Sequence, residues 1–594
     1  MFNFKLFEFL ILNSILYFSI FKFLYFFKEK IGFIDRLILS FLIYLTFVLG
    51  MYGLFGFFNL YEWKVITISI IVLSLFFSTF KFKVKESYLS FYNEFKNSLK
   101  NLFFSLKNDP FLLIIFLLIF LEFFLLLRFI FMYPPEGWDS YIYHLPIVSR
   151  IVIEKGFPSE NFMNLNIMHM YFPKNVEVLF AYYYIFTGTD RGMLIVHFPF
   201  LIFGALSSYS ILRKLSIPKE KSLYIFSILL IPIIPNLAGC AYVDIETSFI
   251  FLIFLNLLLL KFPFNIIFPL ISLSIGAGTK LSFLPIFGLF LLYGMVKLFI
   301  KREYNLLLLT LFLSFITSFH YYIYNFYLTG NPFYPYIIKI FGLEIFKGKK
   351  DVVEYYYGLP VFTYNPFIIF KCLAELWHFD SNNYYTYDNR DGGFGHFFIS
   401  LGIVPFLISI FLSIKNKEKN FLKVIFGTFL FFLTSSYRWW PRFHIYLPFV
   451  AFIGTIYLWD KWNQKNLKCL IILLALFSFI EGMHNRVILS PYSDLNSYKE
   501  NIFELSYIPP KLTRSYSNLG FYLEKNDKIG VWNLRGVSKA LIGLILRNNF
   551  LIYLEEVENE KKLKYYDKIL TSPGILVEGY NKIYEDENLC LWIK

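Results

Sequence analysis

The sequence predicts an all-α polytopic membrane protein with about fourteen transmembrane helices and a small extracytoplasmic α/β domain at its C-terminal end. Three observations carry that prediction. The 594 residues are 57% hydrophobic and 16% charged, where a soluble globular domain carries about a quarter charged residues. Apolar stretches long enough to cross roughly 30 Å of hydrocarbon recur along the chain. Beyond residue 483 the chain turns charged and shows short strand-like runs. A mean hydropathy of +0.56 excludes a soluble enzyme, a disordered chain and a disulfide scaffold. Phe (78) and Tyr (45) are abundant everywhere, so aromatic clusters carry less information than usual.

The spans are read at 6–27, 37–60, 65–80, 111–132, 193–212, 222–238, 244–262, 263–279, 281–296, 305–327, 396–414, 421–436, 445–460 and 469–483. The first is too long for a signal-peptide core and lacks a small-residue cleavage site, so it is read as retained. Lys and Arg orient the set. One series of alternate loops holds 24 of them in 73 residues; the opposite series holds 14 in 145. The dense series is expected in the cytoplasm. That places the loops 134–192 and 328–395, and the tail, outside it. The net charge of +14 is then a topology signal and not a nucleic-acid footprint.

Three regions follow: accessory N-terminal spans and a cytoplasmic segment over 1–109, a membrane-embedded catalytic region over 110–483, and an extracytoplasmic α/β domain over 484–594. The Lys-rich stretch between Lys81 and Asp109 is expected to form an amphipathic helix on the inner leaflet. The run 176–186 is apolar but short, and is expected to be a juxtamembrane helix. In the tail, KIGVW (528–532), FLIYL (550–554), KILTS (568–572) and LCLWI (589–593) read as strands. SKALIGLILRNN and ENEKKLKYY read as helices. The four cysteines stand singly, which supports neither a zinc site nor a redox pair.

Candidate chemistry gathers on the predicted outer face. Asp139 opens a short helix, where the dipole favours a carboxylate; an N-cap is the plainer role for such a residue. Asp244 and Glu246 stand at the outer start of a long apolar span, where ionisable groups are expensive. A capping box or an interfacial anchor is the alternative there. Lys280, Arg438 and Arg442 lie in outer turns that the positive-inside rule disfavours. Binding a lipid phosphate would account for them, as would anchoring beside Trp439 and Trp440. GAGTK (276–280) is not a phosphate loop, because it lacks the spacing. This set suits group transfer from a lipid phosphate. A carboxylate takes the proton of an attacking hydroxyl, and cations or a metal stabilise the departing phosphate.

The ordered motifs GWDSYIYHLP (137–146), AYVDIET (241–247), GTK (278–280), GNPFYP (330–335), GGFG (392–395) and the Arg/Pro-rich stretch 437–448 resemble the GT-C superfamily of polyprenyl-phosphate-sugar-dependent glycosyltransferases. The likeness is nearest the family-39 mannosyltransferase and aminoarabinose-transferase-like members, and runs over about 111–460. It implies inverting transfer of a sugar from a polyprenyl-phosphate donor to a glycan, lipid or protein acceptor. It implies a catalytic Asp139, acting as general base or metal ligand, and phosphate contacts from Lys280 and Arg442. Arg438, Asp244, Glu246 and His144 are further candidates for holding substrate, His144 equally as a packed juxtamembrane histidine. Asp139 departs from the pattern in having no adjacent acidic partner, since Glu136 is three residues earlier. A divalent metal, with Asp139 and Glu246 as its ligands, therefore stays open. Trp377, His378, Asp380, Asp388 and Asp391 in the second long loop suit a sugar acceptor. A lipid-linked polysaccharide polymerase or ligase, a secondary transporter and a non-catalytic relative are the alternatives.

Overall fold

The computed structural model describes residues 4–79, 84–132, 135, 139–158, 171–188, 192–340, 342–351, 393–435, 440–462 and 466–488. In the tail it describes 528–531, 553–556, 563–564, 567–571, 575–585 and 590–594. The chain is predominantly helical, with small sheets. Seven helices among the described residues are long and apolar enough to cross a membrane: Lys5–Phe27, Phe33–Phe58, Pro110–Phe131, Met193–Lys214, Leu281–Ile300, Tyr304–Thr329 and His396–Lys415.

Several other expected spans are shorter helices. Trp63–Thr79, Lys419–Thr434 and Tyr446–Trp462 have 16 or 17 residues. The span expected over 222–238 is broken. A 3₁₀ segment, Leu223–Leu230, ends where Ile231 turns extended, and a separate helix covers Ile233–Ala238. Pro232 is the cause: it lacks a backbone donor and drives the residue before it out of the α region. The pair expected at 244–279 is a hairpin of two 14-residue helices, Asp244–Leu257 and Phe264–Ala277. At about 21 Å each, neither crosses the hydrocarbon unaided.

The helix Asp244–Leu257 is the centre of the molecule, with all of its residues buried. It packs along His197–Lys214 and Phe264–Ala277, with Tyr446–Trp462 and Lys419–Thr434 completing its surround. Gly204 permits the closest of these approaches, since a Cβ there would sit 2.0 Å from the Phe249 ring.

The run expected as a juxtamembrane helix forms one, Asn175–Thr187, buried along most of its length. Its first residue is a clamp. Asn175 Nδ2 donates to the carbonyls of Ile275 (2.9 Å) and Thr317 (3.0 Å), and its Oδ1 accepts from the Tyr321 hydroxyl (3.1 Å). Its backbone N–H donates to Gly278 O at 2.8 Å. Every polar atom of the side chain thus ties a different segment, as burial requires.

The segment after residue 83 is a helix, Val84–Asn108. Leu89, Tyr92, Phe95, Leu99 and Phe103 stand exposed along it, while Phe91 packs on Phe21 and Phe33 and Arg36 pairs with Glu94. In the second long loop, Tyr336–Ile340 pairs with Leu343–Phe346 and Lys350–Asp351 in a small sheet. Asn331 pins it by donating to Tyr336 O and Lys347 O.

The four strand-like runs of the tail join one mixed sheet. Its order is Tyr553–Glu556, Lys528–Val531, Lys568–Thr571, Cys590–Ile593, Asn581–Glu585. The first three strands are parallel and the last two antiparallel. The edge strand Asn581–Glu585 was not among the runs expected. The two expected helices, apart from 563–564, fall outside the described residues, as do 484–527 but for the end of the helix Leu467–Ile488.

The clamp makes a prediction. A Cβ on Gly278 would lie 2.2 Å from Asn175 Nδ2 and 2.4 Å from Thr317 O. Gly278→Ala should cost about 1–3 kcal/mol, read as a lowered melting temperature of the detergent-solubilised protein. Gly288→Ala, where an added Cβ meets nothing within 4 Å, should leave the melting temperature unchanged or raise it.

Candidate active site

Four chain segments meet at one end of the central hairpin. Asp244 begins its first helix, and Lys280 follows the end of its second, so antiparallel packing sets them side by side. Arg442 lies in the 3₁₀ turn Pro441–His444, ahead of the helix Tyr446–Trp462. Asp139 precedes a π-type turn, Ser140–His144. Two bonds stitch this turn to the central helix: Ala241 N–H donates to Ser140 Oγ at 2.9 Å, and Asp139 N–H to Tyr242 Oη at 3.4 Å.

The four side chains form one charge network. Lys280 Nζ donates to Asp244 Oδ1 at 2.7 Å. Arg442 Nη2 donates to Asp139 Oδ2 at 2.7 Å, and Arg442 Nε lies 3.8 Å from Asp244 Oδ2. Neither carboxylate is a helix cap: Asp139 has helical dihedrals and no capping bond, and Asp244 is itself the first helical residue. The network carries two positive and two negative charges. Its middle is sealed, with Asp244 and Arg442 side chains 4% and 5% exposed, while its ends, Asp139 and Lys280, are 18% and 15% exposed.

Aromatic faces line the cations. The Arg442 guanidinium lies 4.9 Å from the Tyr242 ring, 5.0 Å from Phe443 and 5.4 Å from Trp440. The Lys280 ammonium sits 3.2 Å above Phe443. Such contacts offset part of the desolvation of a buried cation. Burial still pushes the Lys280 ammonium below its ordinary value, with Asp244 opposing. Burial pushes the adjacent Tyr143 phenol well up.

The other expected site residues lie elsewhere. Glu246 is wholly buried, with His197 Nδ1 2.5 Å from its Oε1; His197 Nε2 donates to Cys240 O at 2.9 Å. Two positions along a helix from Asp244, it faces away from the network. His144 is buried against Glu177, Nδ1 to Oε1 2.7 Å, with its ring 6.1 Å from Tyr242. Arg438, Glu136 and the five polar residues from Trp377 to Asp391 fall outside the described residues. Glu246, named with Asp139 as a possible metal ligand, is paired with His197. Among the described residues no group of three His, Cys, Asp or Glu side chains is arranged to hold a metal.

Sequence reasoning missed Tyr242, Phe443, Glu177 and Lys174. Lys174 is buried at the head of the helix Asn175–Thr187, donates to Phe172 O at 2.7 Å, and is pushed down to about 7 by burial, with Glu177 opposing. Only its place on the disfavoured side of the charge rule marked it in the sequence.

No family model and no curated protein matches the chain. Among solved structures it is similar to ArnT from Cupriavidus metallidurans in the apo state. The identity is 11%, over 80% of this chain and 97% of that one, with a TM-score of 0.48. ArnT bound to undecaprenyl phosphate gives 10% identity over the same shares and a TM-score of 0.46. The apo Archaeoglobus fulgidus oligosaccharyltransferase gives 11% identity over 74% of this chain and 66% of that one, with a TM-score of 0.37. These are likenesses of chain path, and the chemistry rests on the side chains described above.

Two outcomes follow from the buried charges. Lys280→Met should destabilise by about 3–5 kcal/mol, because it strips a buried carboxylate of its cation. Adding Asp244→Asn should recover part of that loss, a coupling that a double-mutant cycle on melting or denaturant midpoints would detect. For Lys174, the folded value of about 7 lies below the ordinary 10.5, so the unfolded chain binds more protons between the two. Stability should rise with pH across that window, and Lys174→Met should flatten the rise.

Proposed function

We propose that the chain is an integral-membrane glycosyltransferase that moves a sugar from a polyprenyl-phosphate donor to an extracytoplasmic acceptor, with inversion. The observation that supports this most is Arg442, held beside two carboxylates with Lys280 at one end of the network and partly exposed Asp139 at the other. Two cations beside a carboxylate are what phosphate departure from a sugar needs. The resemblance of motifs around these same residues points the same way.

The steps follow from the network. The donor's phosphate competes with Asp139 for the Arg442 guanidinium, whose planar fork suits phosphate oxygens. Lys280 supplies a second positive charge to the same oxygens. As Arg442 turns to the phosphate, Asp139 loses its cation and becomes a better base. The acceptor O–H attacks the anomeric carbon from the face opposite the phosphate. A new C–O bond forms, the sugar–phosphate C–O bond breaks, and Asp139 takes the hydroxyl proton. Charge released on the polyprenyl phosphate is met by Arg442 and Lys280. Asp244 holds both cations in place throughout.

Asp139→Asn should lower sugar release from a radiolabelled polyprenyl-phosphate sugar by about 10²–10⁴-fold, the usual weight of a positioned general base. The assay uses purified protein with a mixture of candidate acceptors. Arg442→Lys should keep the charge, lose the fork and raise the donor KM. Equal turnover by wild type and Asp139→Asn would overturn the assignment of the base.

A further inference from the structure

The first helix, Phe4–Leu24, does not lie flush on the body of the protein. Between it, the helix Phe33–Phe55 and the helix His197–Lys214 is a pocket of about 450 Å³. That volume is within the range of about 300–1,000 Å³ usual for sites that take small organic ligands. Phe9, Tyr17, Phe41, Leu45, Phe198 and Phe203 are among its walls, and no charged residue lines it. Four of the five polar side chains in its lining, Asn13, Tyr17, Tyr44 and Tyr182, are hydrogen-bonded within the protein, and the fifth is Ser14. The Tyr44 and Tyr182 hydroxyls both donate to Asn13 Oδ1, at 2.5 and 2.6 Å, and Asn13 Nδ2 donates to Phe9 O. The Tyr17 hydroxyl donates to Leu37 O at 3.1 Å. A ligand is left with an almost wholly apolar wall.

Depth decides what reaches it. The wall on the first helix runs from Phe9 to Phe18, roughly 14 Å of the middle of that helix. All three helices belong to segments long and apolar enough to cross a membrane. The rim residues Leu10, Phe18 and Ile202 are 43%, 46% and 45% exposed, as expected of side chains that meet lipid. Headgroups and water-soluble ligands stay at the interface, so only hydrocarbon reaches this level.

The pocket is also separate from the charge network: its lining comes from the helices Phe4–Leu24, Phe33–Phe55 and Asn175–Thr187 and the segment Met193–Lys214, and none of it from the four segments that carry the network. On the segment Met193–Lys214, Ile195, Pro199 and Ile202 flank the pocket, whereas His197 points to Glu246 on the central helix. At about 100° per residue these three lie roughly 140–160° round from His197, and Phe198 and Phe200 close the side of the pocket nearer to it.

We propose that this pocket binds one hydrocarbon chain of a bilayer lipid, held as a resident wedge between the first helix and the rest of the protein. The site is independent of the glycosyl-transfer reading. Filling it replaces a void, whose lining forfeits its dispersion contacts, with close packing.

The test is photolabelling of the full chain in vesicles of a phosphatidyl lipid that carries a diazirine near the end of one acyl chain. Label should appear on peptides from the first helix and from the segment Met193–Lys214. Ile202→Trp and Ser14→Trp, which fill the pocket, should reduce that label to the unirradiated background. Leu407→Trp, at a position 58% exposed on another helix, should keep it. Both filling variants are first checked for wild-type elution on size exclusion, and either one that passes suffices. Undiminished label in a folded filling variant would overturn the proposal. So would loss of label on adding polyprenyl phosphate, which would give the pocket to the donor's tail.

Discussion

Arg442 is hydrogen-bonded to Asp139 and lies 3.8 Å from Asp244, and the rest of the site is arranged around that pairing. A guanidinium with 5% exposure at the membrane boundary is tolerable only if its charge is met and its donors are used. Asp139 and Asp244 meet the charge, and three aromatic faces cover what is left. Arg442 and Asp139 are 303 residues apart in sequence, so the bond forms only in the assembled fold. The hairpin sets Asp244 beside Lys280, the Ser140–Ala241 bond brings Asp139 over the central helix, and Asn175 fixes the turn from which Lys280 projects. Removing any of these displaces a charge from a partner it cannot replace with water.

The far end of the same helices is held in a similar way. Asp35 Oδ1 accepts from Ser210 Oγ (2.8 Å), Lys214 Nζ (2.9 Å) and Asn256 Nδ2 (2.9 Å). It ties the helix Phe33–Phe55 to the last turns of both His197–Lys214 and Asp244–Leu257. Asp109 does the same for the helix Leu467–Ile488, accepting from Tyr224 and Lys468. Between these polar ends the contacts are mainly aliphatic and aromatic, with a few serine and threonine bonds such as Ser272 Oγ to Ile250 O at 3.0 Å. Apolar packing alone does not distinguish protein from lipid tails, so buried ion pairs and hydrogen bonds at the helix ends fix which helix sits where.

Glu246 and His144 show the limit of reading function from charge alone. Both are ionisable, buried and close in sequence to the network, and each has its own partner in the interior. His197 donates from Nε2 to a carbonyl, which only accepts, so one proton is left to be shared between Nδ1 and Glu246 Oε1. The pair is neutral overall and suits an apolar interior. The Asp-Ile-Glu spacing already carried the separation: positions i and i+2 of a helix do not face one another, and with the helix beginning at Asp244 the two acids had to part.

Composition and periodicity were enough for the membrane class, the predominance of helix, the short helix after Lys174, the helix over 84–108 and four of the five tail strands. Each of these depends on local hydrophobic pattern, which is written along the chain. Asp139, Lys280 and Arg442 could also be picked out, because charge on the sparsely charged side of a membrane protein is itself a signal. The end of the 3₁₀ segment at Ile231 was legible in Pro232, although the apolar run around it outweighed that sign. Pairing was not legible. Which carboxylate meets which cation, that Glu246 turns inward, that Tyr242 and Phe443 cover Arg442, and that the first helix leaves an apolar pocket beside it all depend on contacts between distant segments. In a chain with this much Phe and Tyr, nothing local distinguishes a ring that covers a cation from one that fills a core; only the packed helices make that distinction, by fixing what each ring touches.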